Sequence, residues 1–85
     1  MRRMRIKGFT LDLDEDTEEF VSAVGRRLAE VRKAAGVSVE ELALKVGVSR
    51  SHLWRIENHA AQPSIAILYK VARGLDVSPK DLLDV

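Results

Sequence analysis

The residues with the clearest chemical potential lie in one short stretch, RSHLWRIEN, at positions 50–58. If this stretch is helical, at about 100° per residue, Leu53 and Ile56 face inward and the polar side chains face outward. The outward set combines basic, hydrogen-bonding and aromatic side chains: Arg50, Ser51, Trp54, Arg55 and Asn58. An arginine can donate two parallel hydrogen bonds to O6 and N7 of guanine, and each good pair contributes about 1–3 kcal/mol of discrimination between bases. The stretch therefore suits a surface that reads DNA bases, although a solvated basic helix face is the plainer interpretation.

Catalytic chemistry has little support in the sequence. The chain has no cysteine, which fits a reducing compartment. His52 and His59 lack cysteine partners and would make a poor metal site, so we expect surface or capping roles for them. Neither a glycine-rich phosphate loop nor a recognisable nucleophile–base motif is present. We therefore expect no enzyme activity, no catalytic residue, no metal and no cofactor.

Length and charge fit one small domain. The 85 residues have a hydrophobic content of 46%, which is sufficient for a single core. No apolar run approaches the roughly 20 residues that a membrane helix needs, so we expect a cytoplasmic protein without membrane association. Residues 20–85 hold ten basic and seven acidic side chains, a net charge of +3, whereas residues 1–19 hold four and six, a net charge of −2. This mildly basic body permits a polyanionic partner.

The elements that would position the stretch 50–58 are helices. Thr17 is the expected N-cap of helix 1 and Gly36 its end. Its inward stripe recurs at three- and four-residue spacing and comprises Phe20, Val24, Leu28, Val31 and Ala35. Ser38 and Glu41 have the spacing of a capping box at the start of helix 2. The inward residues of helix 2 are Leu42, Ala43 and Val46.

Helices 2 and 3 are separated by about three residues around Gly47, which favours a sharp crossing. Ser49 is the expected N-cap of helix 3, over about 50–58. Helix 4 is expected from about Ile65 to Arg73, ended by Gly74, with an inward face of Ile65, Leu68, Val71 and Ala72. Ser78 followed by proline starts a short helix 5.

Residues 1–16 have a different pattern. Phe9, Leu11 and Leu13 alternate with polar residues, and such a period of two is typical of a strand. A strand pairing between two subunits and a flexible arm both remain open. We therefore divide the chain into an N-terminal extension, 1–16, and a helical domain, 17–85.

The register of these signals resembles the phage-repressor helix-turn-helix family of Cro, CI and XRE proteins. The residues that carry the resemblance are GVSVEELALKVGVSRSHLWRIE, the tripeptide PSI five residues later, and LDVSPKDLL. The resemblance covers roughly residues 20–84. It implies an all-α fold, a five-helix lambda-repressor-like DNA-binding domain, with helix 3 in the major groove.

Site residues follow from the resemblance by position. It implies base contacts from Arg50, Ser51 and Arg55, and it places Ser38 over the DNA backbone, where we add Ser49, Trp54 and Asn58 as backbone or sugar contacts. It also implies a structural ion pair between Arg32 and Glu57, holding helix 3 against helix 1. The chain departs from the family at Val39, where glutamine is common, and at His59, where glycine is common. Trp54 stands where small or polar residues are frequent, and contact with DNA or with residues 1–16 is equally open.

The expected function is that of a sequence-specific regulator of transcription that binds double-stranded DNA. The resemblance favours a repressor that acts as a homodimer on a palindromic operator, with half-sites about one helical turn, roughly 10 bp, apart. The dimer surface is either helix 5, with Leu82, Leu83 and Val85, or the extension 1–16. The alternative is a protein-interaction role, as an antitoxin that binds a toxin partner or as a coactivator-like bridging module.

Overall fold

The computed structural model describes residues 13–85. Five helices follow one another along this part of the chain: α1 (Glu15–Ala34), α2 (Val39–Val46), α3 (Arg50–Glu57), α4 (Ile65–Gly74) and α5 (Pro79–Leu82). No strand is found between residues 13 and 85, and the predicted all-α, five-helix architecture is confirmed. The strand or arm predicted for the extension falls mainly on residues 1–12, outside the described residues.

The start of α1 differs from the prediction. Asp14 is the N-cap, and its Oδ1 accepts a hydrogen bond from the Thr17 backbone N–H at 2.7 Å. Thr17, the predicted N-cap, therefore lies in the first turn, and Glu15 and Asp16 are helical. Aspartate and threonine both cap helices well, and three acidic residues after Asp14 favour the earlier start through the helix dipole.

One core joins all five helices. Its fully buried side chains are Leu28 of α1, Leu42 of α2, Leu53 and Ile56 of α3, Val71 of α4 and Leu82 of α5. Each such side chain contributes about 1.5–3 kcal/mol through burial. Helix α2 packs against α3 and α4, α4 packs against α5, and α1 contacts both α3 and α5. The core therefore fixes α3 from two sides, through α2 and through α1.

Several residues predicted to face inward are exposed. Burial in α1 begins at Val24, so Phe20, one turn earlier, remains 51% exposed. Ala35 is exposed because it is the C-cap and lies past the packed part of α1. Ile65 is the first residue of α4 and is 86% exposed. Gly74 does not terminate α4 but belongs to it, and the positive φ that ends the segment, 58°, is found at Asp76.

A close backbone approach holds α1 on α3. Gly25 is buried in α1, and a Cβ at this position would overlap the Ile56 carbonyl oxygen of α3. Only glycine allows this separation between the two helices. This role of Gly25 was not predicted, because a glycine inside a helical pattern does not indicate which backbone it contacts.

Candidate nucleic-acid interface

The turn between α2 and α3 forms from local signals. In the capping box of α2, the Glu41 N–H donates to Ser38 Oγ at 3.0 Å and the Ser38 N–H donates to Glu41 Oε1 at 2.9 Å. Gly47 ends α2 with a φ of 81°, a conformation that costs glycine little. Ser49 then caps α3 by accepting from the His52 N–H at 3.0 Å. The predicted caps and turn of the motif are confirmed.

Helix α3 is packed on one side. Leu53, Ile56 and Glu57 are its buried residues. The side chains on its other side are exposed: Arg50, Ser51, Trp54, Arg55 and Asn58. At about 100° per residue, Arg50 and Trp54 share one stripe of the helix, and Ser51, Arg55 and Asn58 share a second, adjacent stripe. The structure thus brings the proposed DNA-contacting residues of α3 onto one solvent-facing surface.

Arg32 and Glu57 lie together at the contact between α1 and α3. Arg32 Nε donates to Glu57 Oε2 at 2.6 Å and Nη2 donates to Oε1 at 2.9 Å, in a bidentate arrangement. Arg32 Nη1 also donates to the Val37 carbonyl oxygen at 2.8 Å. Both residues are 7% exposed. The hydrogen bond to Glu57 raises the pKa of Arg32 above its usual value, against the opposing effect of burial.

A second ion pair joins α2 to the start of α3. Arg50 Nε donates to Glu40 Oε2 at 2.9 Å, and the side chains are 59% and 64% exposed. The pKa of Glu40 is lowered, first by its own backbone N–H and then by the hydrogen bond and charge of Arg50. Glu40 was not among the site residues predicted from the sequence. Its contact with Arg50 depends on how α2 and α3 cross, which the sequence alone does not show.

The side chains of Arg55 and Asn58 donate hydrogen bonds to backbone carbonyl groups near the end of α3. Arg55 Nη2 donates to the Ala60 carbonyl oxygen at 3.3 Å, and Asn58 Nδ2 donates to the Trp54 carbonyl oxygen at 2.9 Å. His59, which stands where glycine is common in the family, takes a φ of 67°, in the left-handed region that is strained for a residue with a side chain. The Arg55 side chain is therefore directed towards the turn at residues 59–61, whereas the Arg50 side chain is directed towards Glu40 of α2.

Trp54 is half-exposed. It lines an open groove between α1 and α3, together with Val39, His59 and the basic residues Arg26 and Lys33. The residue is 48% exposed and so available to a partner. The other predicted contact of Trp54, with residues 1–16, falls mainly on residues 1–12, outside the described residues.

The hydroxyl groups of the two capping serines, Ser38 and Ser49, can each still donate a hydrogen bond. Ser38 Oγ and Ser49 Oγ each accept a backbone N–H. A serine hydroxyl that accepts one hydrogen bond can still donate its own proton. Both serines also stand at helix N-termini, where backbone N–H groups and the helix dipole favour an anion such as phosphate. The charges of Arg50 and Arg55 add to this preference.

No group of three or more potential metal ligands is found within residues 13–85. In the same part of the chain, no helix is long and apolar enough to cross a membrane.

Comparison with known proteins gives consistent matches. The family model described as Helix-turn-helix, HTH_3, matches residues 28–82. The HTH-type transcriptional regulator SinR of Bacillus subtilis (strain 168) is 48% identical over 62 residues, which cover 72% of this chain and 56% of the relative. The chain thus spans little more than half the length of that regulator.

Solved structures match the same region. A crystal structure of the biofilm master regulator SinR in complex with DNA superposes with a TM-score of 0.67 at 47% identity, covering 72% of this chain and 98% of that one. The restriction-modification controller protein C.AhdI from Aeromonas hydrophila gives a TM-score of 0.70 at 36% identity, covering 75% and 96%. From the family match over residues 28–82 and these shared folds, the chain belongs to the HTH_3 helix-turn-helix family.

Proposed function

We propose that the protein is a sequence-specific, double-stranded DNA-binding regulator of transcription in the cytoplasm. The observation that carries the proposal is the one-sided packing of α3: Leu53, Ile56 and Glu57 are buried, while basic and polar side chains cover the opposite side. A helix held in this way can enter the major groove of B-DNA, which is about 12 Å wide. The DNA complex of the similar regulator SinR supports the same use of the fold.

Each exposed residue of α3 takes a role that its chemistry suits. Arg50, Ser51 and Arg55 are the proposed base contacts, and Trp54 and Asn58 lie beside them over sugar or phosphate. Ser38 and Ser49 direct their hydroxyl donors and the N-termini of α2 and α3 towards phosphates. Backbone contacts would set the register on the duplex, and the arginines would supply base discrimination.

We further propose that the active species is a homodimer on a two-fold-related operator. Helix α5 and the residues after it provide an apolar surface, since Leu83 is 45% exposed and Val85 is 57% exposed. Leu83 lines an open groove together with Phe20 of α1 and Pro63, which extends this surface. Two α3 helices related by a dyad would then reach half-sites about one helical turn apart. We propose that occupation of such an operator represses transcription.

The experiment is in vitro selection of bound duplex DNA with the full chain, Arg50→Ala and Arg55→Ala. We expect an enriched two-fold motif for the full chain, and a loss of preference at different base positions in each variant, with about 1–3 kcal/mol less discrimination per lost pair. Circular dichroism should show both variants folded. Absence of any enriched motif would contradict the proposed function, and unchanged selectivity in both variants would contradict the assigned base contacts.

A further inference from the structure

The Glu40–Arg50 pair is unexpected on a surface that would face DNA. Both side chains are more than half exposed, and exposed pairs of this kind contribute little to stability. A carboxylate near the phosphate backbone also opposes binding, because like charges repel. The pair itself therefore contributes little stability, although Glu40 also lies in the first turn of α2, where a carboxylate favours the helix dipole. That role does not require a hydrogen bond to Arg50, and close to phosphate the charge of Glu40 would oppose DNA binding.

The geometry of the pair determines which donors of Arg50 remain. Glu40 accepts from Nε, and neither Nη1 nor Nη2 of Arg50 forms a hydrogen bond with another residue in the described range 13–85. A guanidinium is planar and its donors have fixed directions. Holding one edge therefore orients the other two nitrogens, which can donate side by side to guanine O6 and N7.

We propose that Glu40 is a positioning residue for Arg50 that determines specificity: it holds the Nε edge so that Nη1 and Nη2 approach guanine end-on. This inference rests on the proposed function, because it requires Arg50 in the major groove. The side chain of neighbouring Val39 has no polar atom that could hold the arginine, so the carboxylate one residue further along α2 supplies the acceptor. Glu40 acts through Arg50 and touches no base.

Two effects of opposite sign follow from this role. An arginine that is already ordered loses less conformational freedom when it binds guanine, so binding to the correct base is strengthened. The carboxylate repels phosphate on every sequence, so non-specific binding falls. Glu40 therefore raises selectivity for the operator and lowers the affinity for non-specific DNA. A residue that contributes to folding alone does not produce this combination.

The test uses two variants of Glu40 in the full chain, with the operator from in vitro selection. Glu40→Ala removes both the charge and the hydrogen bond, whereas Glu40→Asp keeps the charge and shortens the side chain by one methylene. Glu30→Ala is the matched control, because Glu30 is also an exposed glutamate beside an arginine, Arg27, at 4.0 Å. Affinities are measured for the operator, for operators substituted at each position, and for an unrelated duplex.

We expect Glu40→Ala to lose at least about threefold in guanine preference at the position read by Arg50, and to bind the unrelated duplex more tightly. Glu40→Asp should lose the same preference while its binding to the unrelated duplex stays at the wild-type level. Glu30→Ala should keep wild-type selectivity. In an Arg50→Ala background, Glu40→Ala should cause no further loss of selectivity.

Three outcomes would overturn the inference. One is full selectivity in Glu40→Ala, and another is a selectivity loss that adds to that of Arg50→Ala. The third is wild-type selectivity in Glu40→Asp, which would assign the effect to charge and not to the hydrogen bond. In each of these outcomes the wild-type protein still selects a motif, so the proposed function stands. If the wild-type protein selects no motif, both proposals fail together.

Discussion

Glu57 lies on the same helix as Arg50 and Arg55 but points the opposite way, into the contact between α3 and α1. There Arg32 compensates the negative charge of Glu57 and donates two hydrogen bonds to its carboxylate. The acidic group is thus kept away from the side of α3 that would meet phosphate. Because Arg32 also holds the Val37 carbonyl oxygen, the same guanidinium fixes the chain that leads into α2.

Removing one partner of this buried pair should destabilise the fold. We expect Glu57→Ala to lower the free energy of unfolding by about 3–5 kcal/mol, because the Arg32 charge would remain buried without its carboxylate. Urea unfolding followed by circular dichroism measures the change. The double variant Arg32→Met, Glu57→Leu is the control and should recover part of the loss. If Glu57→Ala unfolds like the wild type, the pair does not hold α3 in place.

Two of the helix caps in this domain include carboxylates, Asp14 at α1 and Glu41 at α2. The pKa of Asp14 is lowered by the Thr17 backbone N–H, and the pKa of Glu41 is lowered by the Ser38 backbone N–H. Because these groups titrate at lower pH in the folded state, their stabilisation is complete above their unfolded pKa values, about 4. It is lost as pH falls through the folded values.

We therefore expect the free energy of unfolding to decrease between about pH 5 and pH 3, as these caps become protonated. Urea titrations at several pH values measure the slope. Asp14→Asn and Glu41→Gln should each be less stable than wild type at pH 6 and show a flatter decline towards pH 3. Glu19→Gln, at an exposed position outside both caps, is the control. Parallel pH profiles for wild type and both cap variants would refute this account.

Two helical glycines offer a test of how closely α1 approaches α3. Glycine to alanine inside a helix ordinarily stabilises by up to about 1 kcal/mol. At Gly25 the added methyl group would overlap the Ile56 carbonyl oxygen, so we expect a net destabilisation of about 1–3 kcal/mol. At Gly74 the nearest atom, Leu42 Cδ1, lies at 3.5 Å, an ordinary contact. Thermal unfolding should show Gly74→Ala neutral or stabilised, and a stabilised Gly25→Ala would contradict the close approach.

The sequence predicted the helix-turn-helix well because its signals are local, whereas at α1 two good caps, Asp14 and Thr17, stand close together, and the prediction of Thr17 was wrong. The capping box at Ser38, the left-handed turn at Gly47 and the cap at Ser49 involve residues that are close in sequence, and all three are found in the structure. Phe20 and Ile65 were misjudged because periodicity does not show where a neighbouring helix ends. The contacts of Gly25 and of Glu40 depend on how helices cross, which a single sequence does not state.

The exposed apolar surface at α5 is the proposed interface of the homodimer. We expect Leu83→Glu to yield a folded monomer, because a carboxylate without a partner in an apolar interface costs several kcal/mol, and about 1.4 kcal/mol corresponds to a tenfold change in Kd. Light scattering coupled to size exclusion measures the state. Leu44→Glu, at an 85% exposed position on α2, should leave the dimer intact. A dimeric Leu83→Glu protein would contradict an interface at α5 and favour one formed by residues 1–16.

The one-sided packing of α3 has a consequence for how such a protein can change over generations. The residues that stabilise the fold and the residues proposed to contact bases occupy opposite sides of the same two-turn helix. Substitutions at Arg50, Ser51 or Arg55 remove no buried apolar contact, so we expect them to cost little stability. If these residues are the base contacts, as proposed, new DNA preferences can evolve on this scaffold stepwise, without folding-impaired intermediates.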